Sequence, residues 1–101
     1  MEDNMEILLS DDNLISQIKK YPYPNWIWID IWEISEYEAQ VVVTVNEEEM
    51  CHLAQHKVIH TCSAKTDEVD DIMELKKYGK RITRLIRKKF SDSEVHSRLY
   101  L

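Results

Sequence analysis

The run Trp26-Ile27-Trp28-Ile29-Asp30-Ile31-Trp32-Glu33-Ile34 limits the fold more than any other stretch of this chain. Its density of aromatic and β-branched residues suits a pleated strand and not a surface helix. Strand alternation puts Ile27, Ile29 and Ile31 on one side and Trp26, Trp28, Asp30, Trp32 and Ile34 on the other. A strand with one wet face alternates apolar with polar residues; this one is apolar on both sides. Either both faces of the sheet are covered, or the Trp face is a contact surface. Asp30, set among the Trp residues, then needs a partner or a place at the rim.

The flanking sequence supplies a sheet. Gln40 to Val45 contains four valines and reads as a second strand. The polar Ser35 to Glu38 stretch makes the two an antiparallel hairpin. Without Gly or Asn-Gly, a four- or five-residue loop built on a type I turn is expected over a two-residue primed turn. Lys57 to Ala64 fits a third strand. Residues 46–56 are compatible with a short helix or with an irregular strand.

Two helices are signalled by their ends. Ser10 is an N-cap, with Leu9 and Leu14 placed as a hydrophobic staple and Asp11 and Asp12 at the positive helix end. Leu14, Ile15 and Ile18 form its apolar face. Pro22 and Pro24 prevent continuation, leaving Tyr21 to Asn25 as a stiff connection. Thr66 caps a longer helix with Asp67, Glu68, Asp70 and Asp71 near its start and eight Lys and Arg residues from Lys76 to Lys89. That order suits the helix dipole. Ile72, Leu75, Gly79, Ile82 and Ile86 recur at steps of three and four. Gly79 lies on this stripe, where a missing side chain permits close approach. Ser91-Asp92-Ser93-Glu94 fits a capping box and predicts a short last helix with Val95 and Leu99 inward. The expected architecture is one α+β domain over residues 1–101. It has a three-stranded antiparallel sheet, with the N-terminal helix and the long C-terminal amphipathic helix packed on one face.

A chain of 101 residues has room for one core. The acidic start, Met1-Glu2-Asp3-Asn4, lacks the basic region of a signal peptide, and no apolar run approaches a membrane span. The expected compartment is the cytoplasm, where Cys51 and Cys62 are free thiols. The net charge of −6 is unevenly spread: residues 1–75 carry 17 acidic and 4 basic side chains, and residues 76–101 carry 2 acidic and 9 basic. Such segregation steers partners.

Four constellations bear on function. The Trp strand and its acidic continuation, Trp26, Trp28, Asp30, Trp32, Glu33, Glu36 and Glu38, suit partner binding, because Trp anchors interface hot spots. Cys51, His52, His56, His60 and Cys62 are zinc-ligand types gathered within twelve residues. On a helix His52 and His56 share a face, and on a strand His60 and Cys62 share one. No CxxC or HExxH accompanies them, so zinc is the lesser reading and no cofactor is expected. Lys77, Lys80, Arg81, Arg84 and Lys88 form a basic stripe that suits phosphates, without any nucleic-acid-binding signature beside it. The carboxylate clusters fall in turns and helix starts, where they are solvated.

No glycine-rich phosphate loop or catalytic motif is present. The expectation is a non-enzymatic protein–protein interaction module, comparable in composition alone to small acidic inhibitors and immunity-type proteins of phage or mobile-element style that block a basic target. Nucleic-acid binding through the basic helix is the alternative, a small zinc-binding domain the third reading, and a homodimer is compatible with the first.

Overall fold

The computed structural model describes residues 5–21, 26–46, 56–66 and 69–100. They form a five-stranded mixed sheet with two helices on one of its faces. In chain order the elements are β1 (Met5–Ile7), α1 (Asp11–Ile18), β2 (Trp26–Ser35), β3 (Glu38–Asn46), β4 (His56–Lys65), α2 (Val69–Lys89) and β5 (Glu94–Arg98). The strand order is β1-β4-β3-β2-β5. Neighbours are antiparallel except β2 and β5, which run parallel.

The centre of the sheet is the expected meander. β2 pairs with β3 from Trp26↔Asn46 to Ser35↔Glu38, so Ile27, Ile29 and Ile31 face Val45, Val43 and Val41. All six are buried under the helices. The connection is tighter than the expected four or five residues. Glu36 and Tyr37 alone make the turn, and a bulge at Ile34 absorbs the mismatch. The backbone N–H of Tyr37 reaches Ser35 Oγ at 3.4 Å, and the Tyr37 carbonyl accepts from the Thr66 N–H at 2.8 Å. A bulge adds local twist, which lets a short turn form without glycine.

The three-stranded expectation falls short by both edges. β1 is only three residues long and pairs Met5, Glu6 and Ile7 with Ala64, Ser63 and Cys62. β5 replaces the predicted last helix. Ser91–Ser93 form a turn, with Ser93 N–H donating to the Phe90 carbonyl at 3.0 Å, and Glu94 begins a strand beside Trp26. The element that follows the long helix is thus a strand and not a helix. A local capping pattern loses here to tertiary pairing: β5 satisfies the free edge of β2 and lays side chains against the Trp residues.

α1 starts as predicted. Ser10 Oγ accepts from Asn13 N–H at 3.2 Å, and Leu14, Ile15 and Ile18 are buried. α2 buries Leu75, Tyr78, Ile82 and Ile86, with Phe90 just beyond its end. Each such side chain contributes about 1.5–3 kcal/mol when taken from water. The first residues after Thr66 and the 47–55 segment, including its helix-or-strand question, lie outside the described residues, as do Pro22 to Asn25. Gly79 does sit at a close approach. A Cβ there would lie 2.6 Å from Leu99 Cδ2, so the bare backbone accommodates the residue that follows β5. No helix among the described residues is long and apolar enough to cross a membrane.

Candidate interaction surface

Because both helices pack on the Ile side of β2, the Trp side is the sheet's other face. No helix covers it among the described residues. β5 partly covers it instead. Its parallel register sets His96 beside Trp28 and Arg98 beside Asp30. The His96 ring stacks on Trp28 at 4.6 Å and on Trp26 at 5.4 Å, with interplanar angles of 26° and 15°. Arg98 follows in the same file, its guanidinium 4.3 Å from the Trp28 ring centroid. It also forks onto Asp30 at 2.6 and 2.9 Å. The result is a row of flat groups, Trp26, His96, Trp28 and Arg98, ended by a carboxylate.

This row answers the question raised by Asp30. The residue is 5% exposed and its partner is Arg98. The contact raises the Arg98 pKa further above its usual range. Glu94 Oε2 lies 3.4 Å from His96 Nε2, an ion pair when the imidazole is protonated. His96 and Arg98 carried no readable signal in the sequence beyond the weak polar–apolar alternation from Glu94 to Arg98.

The row stops short of Trp32. The β2–β5 register ends at Asp30↔Arg98, so among the described residues no β5 residue pairs with Trp32. On the other side it faces Gln40 in the β2–β3 register, and His60 meets its ring edge-on at 6.4 Å. Gln40 Oε1 and His60 Nδ1 are 2.7 Å apart, which braces that flank. Trp32 stays 38% exposed, and Ile34, Tyr37 and Tyr100 are exposed at 43%, 63% and 68%. Trp32, Ile34 and Tyr37 belong to the β2–β3 hairpin end, where Glu33, Glu36 and Glu38 also sit.

The predicted partner-binding residues thus divide. Trp26, Trp28 and Asp30 share the face as expected, but β5 occupies them. Trp32 and Glu38 share the same face and are not taken by β5. Glu33 is paired with the buried Ala39 and points toward the helix side, and Glu36 lies in the turn. Glu38 is half-buried, with Oε2 accepting from Ser63 Oγ at 2.7 Å. Ile34, Tyr37 and Tyr100 were missed as site residues. Exposure of single apolar residues is not encoded in local pattern.

Of the predicted metal set, only His60 and Cys62 have described side chains, and the structure does not bring these two together. Cys51 and His52 lie outside the described residues, as does the side chain of His56. His60 and Cys62 were expected to share a face at i, i+2, and a bulge at Thr61 separates them. Val42 pairs with His60 but Val41 pairs with Cys62, which leaves Thr61 as the extra residue. Its hydroxyl donates to the Val41 carbonyl at 2.6 Å. His60 is therefore exposed on the Trp face, while Cys62 is fully buried on the helix face. Burial pushes the Cys62 thiol up to about 11, the opposite of the shift a reactive thiolate needs. Among the described residues no three His, Cys, Asp or Glu side chains could hold a metal ion together.

The basic stripe is exposed along α2, but not all of it is free. Arg81 forks onto Asp11 of α1 at 2.6 and 3.1 Å, and this hydrogen-bonded pairing lowers the Asp11 pKa and raises that of Arg81. Lys77 approaches Glu74 at 3.5 Å. Lys80, Arg84 and Lys88 form no ion pair among the described residues.

A depression of about 310 Å³ lies between the helices and is lined by Asp11, Asp12, Ile15, Ser16, Lys19, Leu85 and Lys89. Comparisons with protein-family models, with curated proteins and with solved structures find no match to this chain.

Proposed function

We propose that the chain is a non-enzymatic protein–protein interaction module that binds through the end of its β2–β3 hairpin. The observation that carries this reading is that β5 ends at Arg98, opposite Asp30, and Trp32 beyond it is exposed while Trp26 and Trp28 are stacked against His96. Trp32, Ile34 and Tyr37 offer apolar and aromatic contact area, and Glu36 and Glu38 give it a negative border. An aromatic centre with a polar rim is the usual composition of a protein interface. The sign of the border favours a partner with a basic surface. An acidic inhibitor or immunity-type role in the cytoplasm fits that chemistry.

The test is partner capture with wild type and Trp32→Ala, each shown to be folded by circular dichroism, followed by titration of the purified partner. Loss of one Trp anchor is expected to weaken binding by roughly 30-fold, the equivalent of about 2 kcal/mol. Association should also slow as salt rises. Equal affinity of the two proteins would overturn the reading.

Nucleic-acid binding through α2 is the second reading, supported by the exposed Lys80, Arg84 and Lys88, which form no ion pair among the described residues. It predicts a steep salt dependence and weaker binding by Arg84→Glu. Absence of any DNA or RNA shift at low salt would remove it.

A further inference from the structure

We infer that Trp32 and Glu38 form a receptor for a guanidinium group, an arginine side chain presented by the protein partner. The inference rests on the interaction surface proposed above and names the chemistry of its central contact.

The same face already holds one guanidinium in this manner. Arg98 lies 4.3 Å over the Trp28 ring and forks onto Asp30. Trp32 repeats the position of Trp28 four residues along β2, on the same face. Trp28 receives its cation from β5, and β5 ends before it can supply one to Trp32.

A carboxylate stands nearby. Glu38 is two residues from Gln40 on β3, and Gln40 is directly opposite Trp32. Such diagonal neighbours lie about 7–8 Å apart, within reach of a long side chain. Ser63 Oγ anchors Glu38 Oε2 at 2.7 Å, so the carboxylate is fixed in place. Lys65 faces Glu38 across the β3–β4 register but forms no ion pair with it among the described residues. His60 and Gln40 support the far flank of the ring. Glu33 and Glu36 add negative potential around the hairpin end.

Arginine fits better than lysine. The planar guanidinium stacks on an indole and still donates in plane to a carboxylate, whereas the ammonium is a strongly hydrated point charge. The surface should therefore discriminate between two cations of equal charge.

The test uses hexa-arginine and hexa-lysine as probes of the full chain at matched ionic strength, with the Trp32 indole N–H followed by NMR. Hexa-arginine is expected to shift that resonance and to bind about two- to fivefold more tightly than hexa-lysine. Trp32→Leu and Glu38→Gln should each abolish the preference while leaving the melting temperature near wild type. Equal affinities, or an unmoved Trp32 resonance, would overturn the assignment. The two proposals separate on the partner: if its binding needs Trp32 but arginine and lysine probes are equivalent, only the guanidinium receptor fails. If partner binding ignores Trp32, the interaction surface itself fails.

Discussion

Arg98 stands beside Asp30 in the parallel β2–β5 register and closes on both of its carboxylate oxygens, at 2.6 and 2.9 Å. The two residues differ sharply in environment. The Asp30 side chain is 8% exposed, while that of Arg98 is 53% exposed. The carboxylate is the member that depends on the pair, because burial strips it of water and Arg98 replaces that solvation.

Arg98→Ala is expected to destabilise the fold by about 1–3 kcal/mol, below the range for a wholly buried pair because the guanidinium is half in water. Urea unfolding of Arg98→Ala, Asp30→Ala and the double variant would measure it. The double variant should cost less than the sum of the single ones, since it leaves no stranded charge. Strict additivity would mean that the two side chains do not depend on each other.

The Trp residues should separate by role. Trp28 is stacked between His96 and Arg98, so Trp28→Ala is expected to cost about 2–4 kcal/mol through lost packing. Trp32 is exposed and pairs with no β5 residue among the described residues, so Trp32→Ala should cost less than about 1 kcal/mol. Thermal melts followed by circular dichroism would resolve the two. A Trp32 variant as unstable as the Trp28 variant would place Trp32 among the structural residues.

Alkaline pH should weaken the fold through the Cys62 thiol. Burial raises its pKa from 9.0 to about 11, so between those values the unfolded chain loses a proton that the folded chain keeps. The stabilisation is fully present below pH 9 and is lost as pH rises through 11. Burial shifts Tyr78 upward too, adding to the loss above pH 10. The measurement is urea midpoint against pH. A companion test is thiol labelling at pH 8 in a Cys51→Ser background: Cys62 should react only after unfolding, and rapid labelling of the native protein would contradict its burial.

Gly79→Ala sets two effects against each other. Alanine favours the helix by about 1 kcal/mol. Its Cβ would also meet Leu99 Cδ2 at 2.6 Å and force that side chain aside. The struck atoms are the far end of a half-buried leucine, so the net change in stability should stay within about 1 kcal/mol. Amide exchange of Ser97 to Leu99 should nevertheless accelerate. Unchanged exchange there would show that Gly79 does not position the segment.

The central meander and both helices were legible because each is written in one local pattern. β2 shows in the aromatic and β-branched run, β3 in its valines, α1 in Ser10 and α2 in its three- and four-residue stripe. β1 and β5 were not legible, because their pairing is decided by distant chain. β5 exists where Trp26 and Trp28 offer flat surfaces to His96 and Arg98, and nothing between Ser91 and Arg98 announces those surfaces. The Thr61 bulge was equally silent. A single unpaired residue reverses which side Cys62 faces, and strand alternation carries no mark of it. At the candidate site Trp32, Glu33, Glu36 and Glu38 were recognisable as a group. Their distinction from Trp26 and Trp28 depended on where β5 ends.

The sheet order has a kinetic consequence. β2, β3 and β4 follow one another in the chain and pair locally, whereas β5 reaches β2 from 68 residues away at the Asp30–Arg98 contact. Closing so large a loop is entropically slow, and local pairing precedes it. Folding should pass through a stage in which the meander is formed and the indoles of Trp26 and Trp28 still face solvent. During that interval the future interior of the aromatic row is a sticky surface, and arrival of β5 ends the period in which two immature chains can adhere to each other.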